Sequence, residues 1–262
     1  MKLHCRLIAF SAMFALIASE AGAERIAAAQ YEGPVDRYGH FALGRPHEYA
    51  RVTVTTDVGK KITFKLPESE VFEDLAPRIV RLVAGEPEEI LTIVSKRDSG
   101  SRLMLIRLSG GRLEMSAQSP AIGTPSRWLN PVGVADLDGD GRAEIAAVIT
   151  PHIDGPLNVY RRQGKELIET AALGGFSNHV YGSTELALSA PILIAGKMRL
   201  VVPDATRLQL RVVGLEKDRL VEIGRCLLPA PVTGAMNVIS LSEVSIGLLS
   251  GRQAIALDDC RK

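Results

Sequence analysis

An all-β fold assembled from repeated four-stranded units is what this sequence predicts, and three observations predict it. Short strand-like runs alternate with turns rich in Gly, Pro, Asn, Asp and Ser along the whole chain. No long stretch holds a 3.6-residue apolar period. A series of four runs recurs at a spacing of about 50 residues, near the repeat lengths of propeller blades. A sandwich or an open β-array can use the same hairpins. The repetition favours a small β-propeller of about four or five four-stranded blades.

The elements follow in order. Residues 48–55 and 61–66 read as a hairpin. The first clear unit, 77–120, places strands at 78–82, 89–94, 102–108 and 112–117. The second, 130–173, repeats them at 132–137, 144–149, 157–161 and 166–171, and the third, 183–226, at 185–189, 198–202, 208–213 and 220–223. The last two strands of the first two units turn through Ser109-Gly110-Gly111-Arg112 and Gln163-Gly164-Lys165-Glu166, glycine-containing reversals that favour hairpins. The alternation Leu208-Gln209-Leu210-Arg211-Val212 fits an outer strand with one wet face, and the continuous apolar run 145–149 fits an inner one. Residues 237–257 read as two or three short strands, which with the N-terminal hairpin make a composite or capping blade.

Lys2 and Arg6 precede an apolar run at 7–18 and the small residues Ala21-Gly22-Ala23, which predicts a secretory signal peptide over 1–23 and a mature propeller over 24–262. The expected location is periplasmic or secreted. Cys5 lies upstream of the apolar run and is not placed for lipidation. Lys plus Arg (31) and Asp plus Glu (30) nearly cancel and are interspersed, so charge supplies no case for nucleic acid or an anionic membrane surface. No later run is long enough to span a bilayer. Cys226 and Cys260 form an even pair in an oxidising compartment, where a disulfide or two separate thiols are both open readings.

The most specific motif is Asp136-Leu137-Asp138-Gly139-Asp140-Gly141-Arg142-Ala143-Glu144, followed by an apolar strand. Aspartates at positions one, three and five, glycine at six, a backbone carbonyl at seven (Arg142) and a carboxylate at nine match the first part of a calcium loop. Position twelve is Ala147 and the downstream element is a strand, so the loop does not belong to an EF-hand.

Together with the lead-in Pro131-Val132-Gly133-Val134-Ala135, this segment resembles the FG-GAP and VCBS repeats of integrin-type and bacterial secreted propellers. The resemblance implies one structural calcium in the turn between the first two strands of a blade. Its ligands would be the side chains of Asp136, Asp138, Asp140 and Glu144 and the carbonyl of Arg142. Glu144 stands where Asp is more usual. The corresponding segments 81–89 and 190–199 lack the aspartate series. The segments 71–78, 127–133 and 177–179 are similar to a group of alphaproteobacterial periplasmic proteins with VCBS-type repeats, a group that brings no activity with it.

Trp128, His152, Asn178 and His179 fall in connections between strands and form a candidate ligand-binding set if their loops share one mouth; imidazole acid–base work or a transition metal would be the chemistry. The plainer reading has the histidines bonding loop backbone and Trp128 filling a gap. His40 and His47 lack zinc-motif spacing, and Glu73-Asp74 reads first as a solvated loop or strand cap. No phosphate loop, Cys–His cluster or nucleophile elbow is present. The expected function is therefore a binding or interaction module whose partner is an envelope protein or a polysaccharide. The alternatives are a hydrolase or lyase working at the propeller mouth, and an adhesion or matrix-contact protein.

Overall fold

The computed structural model describes residues 24–260, so the expected signal segment lies outside the described residues. The all-β expectation holds: strand accounts for 59% of the described residues, and the remainder is loops and one 3-10 turn at Leu257–Asp259. No helix among the described residues is long and apolar enough to cross a membrane.

The first group comprises β1 (Ile26–Val35), β2 (Glu48–Thr56), β3 (Lys61–Lys65) and β4 (Glu70–Phe72). Three four-stranded antiparallel meanders follow. These are β5 (Arg78–Val80) with β6 (Glu89–Lys96), β7 (Gly100–Ser109) and β8 (Arg112–Gln118); β9 (Leu129–Ala135) with β10 (Glu144–Ile149), β11 (Gly155–Gln163) and β12 (Glu166–Phe176); and β13 (Ala190–Ile194) with β14 (Lys197–Pro203), β15 (Gln209–Glu216) and β16 (Arg219–Leu227). A three-stranded sheet of β17 (Val232–Ser240), β18 (Glu243–Leu248) and β19 (Gly251–Ala256) ends the chain. Narrow contacts join the first group and the first two meanders into one 12-stranded sheet, through β4 between β2 and β6 and through the single parallel pair Gln118–Glu166. None of the sheets closes on itself.

Side chains alternate across a strand, and here each central strand serves two cores. On β6, Ile90 and Val94 pack toward Val52 and Phe72 of the first group, while Leu91 and Ile93 face Ile145 and Leu167 of the next meander. On β10, Ile145 and Ala147 face back, and Ala146 and Val148 face forward to Val202 and Val213. On β15, Val213 and Leu215 face back, and Leu210 and Val212 meet Val232, Val244 and Ile246. Four cores thus lie between five consecutive units. Among the described residues, none of these clusters joins the last unit to the first.

Two readings of the fourth unit, β13–β16, which is the third of the repeats read from the sequence once the N-terminal group is counted as the first unit, need correction. The strand expected at 185–189 lies instead at Ala190–Ile194, an edge strand where the missing N–H of Pro191 is tolerated. It reverses through Ala195 (φ 49°) and Gly196 (φ 73°), a tight hairpin with both central φ values positive. The alternation around Leu208 does not mark an outer strand: β15 is paired on both sides, and Arg211 is buried, its guanidinium 4.0 Å above the Phe176 ring and 2.5 Å from Glu222. A disulfide joins Cys226 on β16 to Cys260 beyond β19, with Cα atoms 4.4 Å apart.

Candidate functional site

The metal-type loop runs from the end of β9 to the start of β10, and its own carboxylates fold it. Asp136 accepts from the N–H groups of Gly139 (2.8 Å) and Gly141 (2.9 Å), Asp138 from Asp140 (3.1 Å), and Asp140 from Arg142 (2.8 Å). Gly139 (φ 84°) and Gly141 (φ 86°) supply the left-handed backbone that these turns need. Glu144 is buried and takes the Leu137 N–H at 2.9 Å. One oxygen each from Asp136, Asp138 and Glu144 lies within 4.8 Å of the others; Asp140 is outside that trio. Ala143 N–H to the Leu82 carbonyl (2.7 Å) and a bridge between Val83 and Arg142 dock the loop on the preceding meander.

Arg161 on β11 is a member of this site that no motif indicates. Its Nε donates to Glu144 Oε1 at 2.9 Å, one Nη to the Asp138 carboxylate, and the other Nη to Asp218 Oδ1 at 2.6 Å in the β15–β16 turn. Burial pushes the Glu144 carboxyl upward, and its bonds from Arg161 and Leu137 oppose that rise. The donor set is all hard oxygen, which suits calcium, and it is already gathered around a positive charge. Beside the loop, a cleft of about 570 Å³ separates the second and third units. Arg162 reaches across it to Glu89 at 2.5 Å, while Arg107 pairs within its own meander with Glu114 at 2.6 Å.

A second constellation forms where three loops meet. Trp128, His152 and His179 come together; Asn178 does not join them. The rings of Trp128 and His152 stack with centroids 5.9 Å apart, and His179 lies 5.0 Å from Trp128 and 4.9 Å from His152. Asn178 turns away into a buried clasp, donating to the Asn130 carbonyl (3.2 Å) and Ser189 Oγ (3.0 Å) while Asn130 donates back to the Asn178 carbonyl (3.1 Å). Trp128 is buried and its indole N–H reaches the Glu73 carbonyl at 2.8 Å. The two histidines are held neutral, each pushed down to about 4, first by burial. His179 Nε2 donates to the Ser183 carbonyl at 2.9 Å, which leaves its Nδ1 to accept from His152 Nδ1 at 3.4 Å. His152 Nε2 is then a buried lone pair with no partner among the described residues.

His40 and Tyr181 extend the cluster. The Tyr181 ring meets that of His152 edge-on, its hydroxyl donates to the His40 carbonyl (3.1 Å), and His40 Nδ1 contacts Glu73 Oε1 at 2.6 Å. Glu73 and Asp74 are therefore not a solvated loop: both are buried. Glu73 also accepts from Ser95 Oγ (2.5 Å), and Asp74 pairs with Arg78 at 2.5 Å. His47 lies apart, against Tyr49. Gly44 (φ 65°) lets the first loop close on Gly182, whose N–H donates to the Ala42 carbonyl at 2.9 Å; a Cβ at Gly44 would come within 2.2 Å of the Gly182 oxygen. A pocket of about 160 Å³ remains among His40, Ser126, Trp128, Thr150, His152 and Tyr181. Ser126 (φ 53°) and Thr150 (φ 48°) hold left-handed backbone there, an unusual conformation for a β-branched threonine.

Comparison with protein-family models and with curated proteins finds no match for this chain.

Proposed function

We propose that the chain is a propeller-like binding module of the periplasm or the cell exterior, with one calcium ion pinning the first two strands of its third unit. The observation that carries this reading is the convergence of Asp136, Asp138 and Glu144 around a loop that its own carboxylates pre-fold, with a guanidinium seated as a stand-in cation. Calcium there would supply charge neutralisation and a rigid turn, held by Asp136, Asp138, Asp140, Glu144 and the Arg142 carbonyl. The likeness to FG-GAP and VCBS repeats supports the same reading. So do central strands that each face two neighbouring units, as blades do. The Cys226–Cys260 disulfide fits an oxidising compartment.

The partner-facing surface is the loop mouth, where Ile153 and Tyr181 are exposed beside the histidine cluster. Its partner would be an envelope protein or a polysaccharide. Thermal unfolding in calcium and in chelator tests the metal: calcium raises Tm, and Asp138→Ala removes most of that rise. An identical Tm in both conditions for the wild-type protein overturns it. Capture from an envelope extract, compared between the wild-type protein and Tyr181→Ala, tests the mouth.

A second reading has its own observation. Two neutral imidazoles beside a small pocket with strained backbone could serve a small ligand or an acid–base reaction, with His152 Nε2 as the acceptor. An adhesive role rests on the integrin-type likeness alone and ranks lowest.

A further inference from the structure

We infer that Arg161 is an internal competitor of calcium: it occupies the oxygens of Asp138 and Glu144 that a metal needs, and metal binding leaves it paired with Asp218 on the neighbouring sheet alone. This rests on the calcium reading above. The oxygen inventory carries it. Glu144 gives Oε2 to the Leu137 N–H and Oε1 to Arg161; Asp138 gives Oδ1 to the Asp140 N–H and Oδ2 to Arg161. The backbone thus leaves one oxygen uncommitted on each carboxylate, and the guanidinium takes both.

A guanidinium and a divalent ion cannot share those oxygens at close range without strong like-charge repulsion, so metal binding requires the arginine to yield. It has somewhere to go. Among the described residues, the Asp218 contact, 2.6 Å, is the one ion pair of Arg161 that involves no proposed metal ligand. Asp218 sits with Lys217 at a two-residue turn, both with positive φ (59° and 49°), and its side chain is largely exposed, so it can hold Arg161 with or without metal. Without metal, Arg161 therefore ties the loop of the third unit to the fourth. With metal, only the tie to the fourth unit survives. Metal occupancy and the contact between these units are linked, and linkage runs both ways.

Two measurements test this on the full chain with calcium alone as the probe. Calorimetric titration of the wild-type protein, Arg161→Gln and Arg161→Lys should show calcium binding on the order of tenfold tighter in Arg161→Gln, because the competitor is gone and Glu144 is left uncompensated, with Arg161→Lys between the two. In the unaltered protein, the Arg161 Nε–H resonance should lose its protection as calcium saturates. Equal or weaker binding by Arg161→Gln, or an unchanged Nε–H signal at saturation, overturns the competitor role while leaving the calcium site standing. Absence of calcium binding in the wild-type protein and both variants overturns the calcium reading itself.

Discussion

The Nδ1 atoms of His152 and His179 lie 3.4 Å apart, in a nest of aromatic rings closed by Trp128. A proton placed on either ring would lose its hydration, and a second would meet the first. Burial is the first cause of the downward shift of both to about 4, and the charge of His179 adds to it at His152 and that of Arg207 at His179.

Stability should therefore fall as the solution is acidified. Both folded-state values lie below the unfolded reference of about 6.5, so the unfolded chain binds protons first. The contribution is complete above roughly pH 6.5 and declines toward pH 4, by about 1.4 kcal/mol per pH unit for each ring that stays neutral. Burial acts the other way on the carboxyls of Glu48, Asp74 and Glu144, whose raised values add stability in acid. The comparison that isolates the pair is the pH slope of urea midpoints for wild type against His152→Gln. A shallower slope in the variant is expected, and parallel slopes would contradict the shift. Trp128, the one tryptophan of the chain, reports the local change by fluorescence.

Removing the disulfide should weaken the fold strongly. Cys226 and Cys260 are 34 residues apart, a closure worth about 4 kcal/mol in the chain-entropy treatment. Urea unfolding of a Cys226→Ser, Cys260→Ser double variant should show a loss of that order, with the β17–β19 sheet losing hydrogen-exchange protection first. A change below about 1 kcal/mol would mean the bridge merely decorates a joint already made by Val232, Val244 and Ile246.

The Asp74–Arg78 pair should be costly to break and cheap to replace. Asp74 is buried and its carboxyl is pushed up by burial against the pull of Arg78. Arg78→Ala would strand that carboxylate and cost about 3 kcal/mol or more, whereas an apolar pair such as Asp74→Leu with Arg78→Met should recover most of the loss. A double-mutant cycle by chemical denaturation decides it; additive losses would show that the two side chains act independently.

Much of the scaffold was legible in the sequence. The strand Glu144–Ile149 has the limits its sequence predicts, because a carboxylate-rich turn leads directly into an unbroken apolar run. The hairpin turns announced themselves through glycine. The first strand of the fourth unit lies later than its sequence predicts, because Ala190-Pro191 resembles a connection and no local pattern marks an edge position where proline is tolerated. Arg211 looked solvent-facing because its alternation is genuine, but Phe176 from the preceding unit covers it. At the metal loop the ligand spacing is local and visible. Arg161 follows Glu144 by 17 residues and meets it only because β10 and β11 pair. The histidine cluster is a product of three loops brought together, a proximity that no spacing encodes. The burial of Glu73 and Asp74 likewise depends on partners far along the chain.

Because β6, β10 and β15 each line two cores, an interior unit cannot come loose without exposing surface on both sides of it. The terminal units have one such wall each, so they are the natural places for the fold to fray. Among the described residues, only the C-terminal one carries a covalent fastening. The C-terminal sheet is stitched to its neighbour by the disulfide, while β1 is anchored by ladder bonds and by the exposed Arg25–Asp57 contact. The molecule thus has a built-in polarity of disassembly: under load, heat or protease, opening should begin at the amino-terminal strands and travel toward the stitched end, and limited proteolysis would read that direction from the order of the fragments.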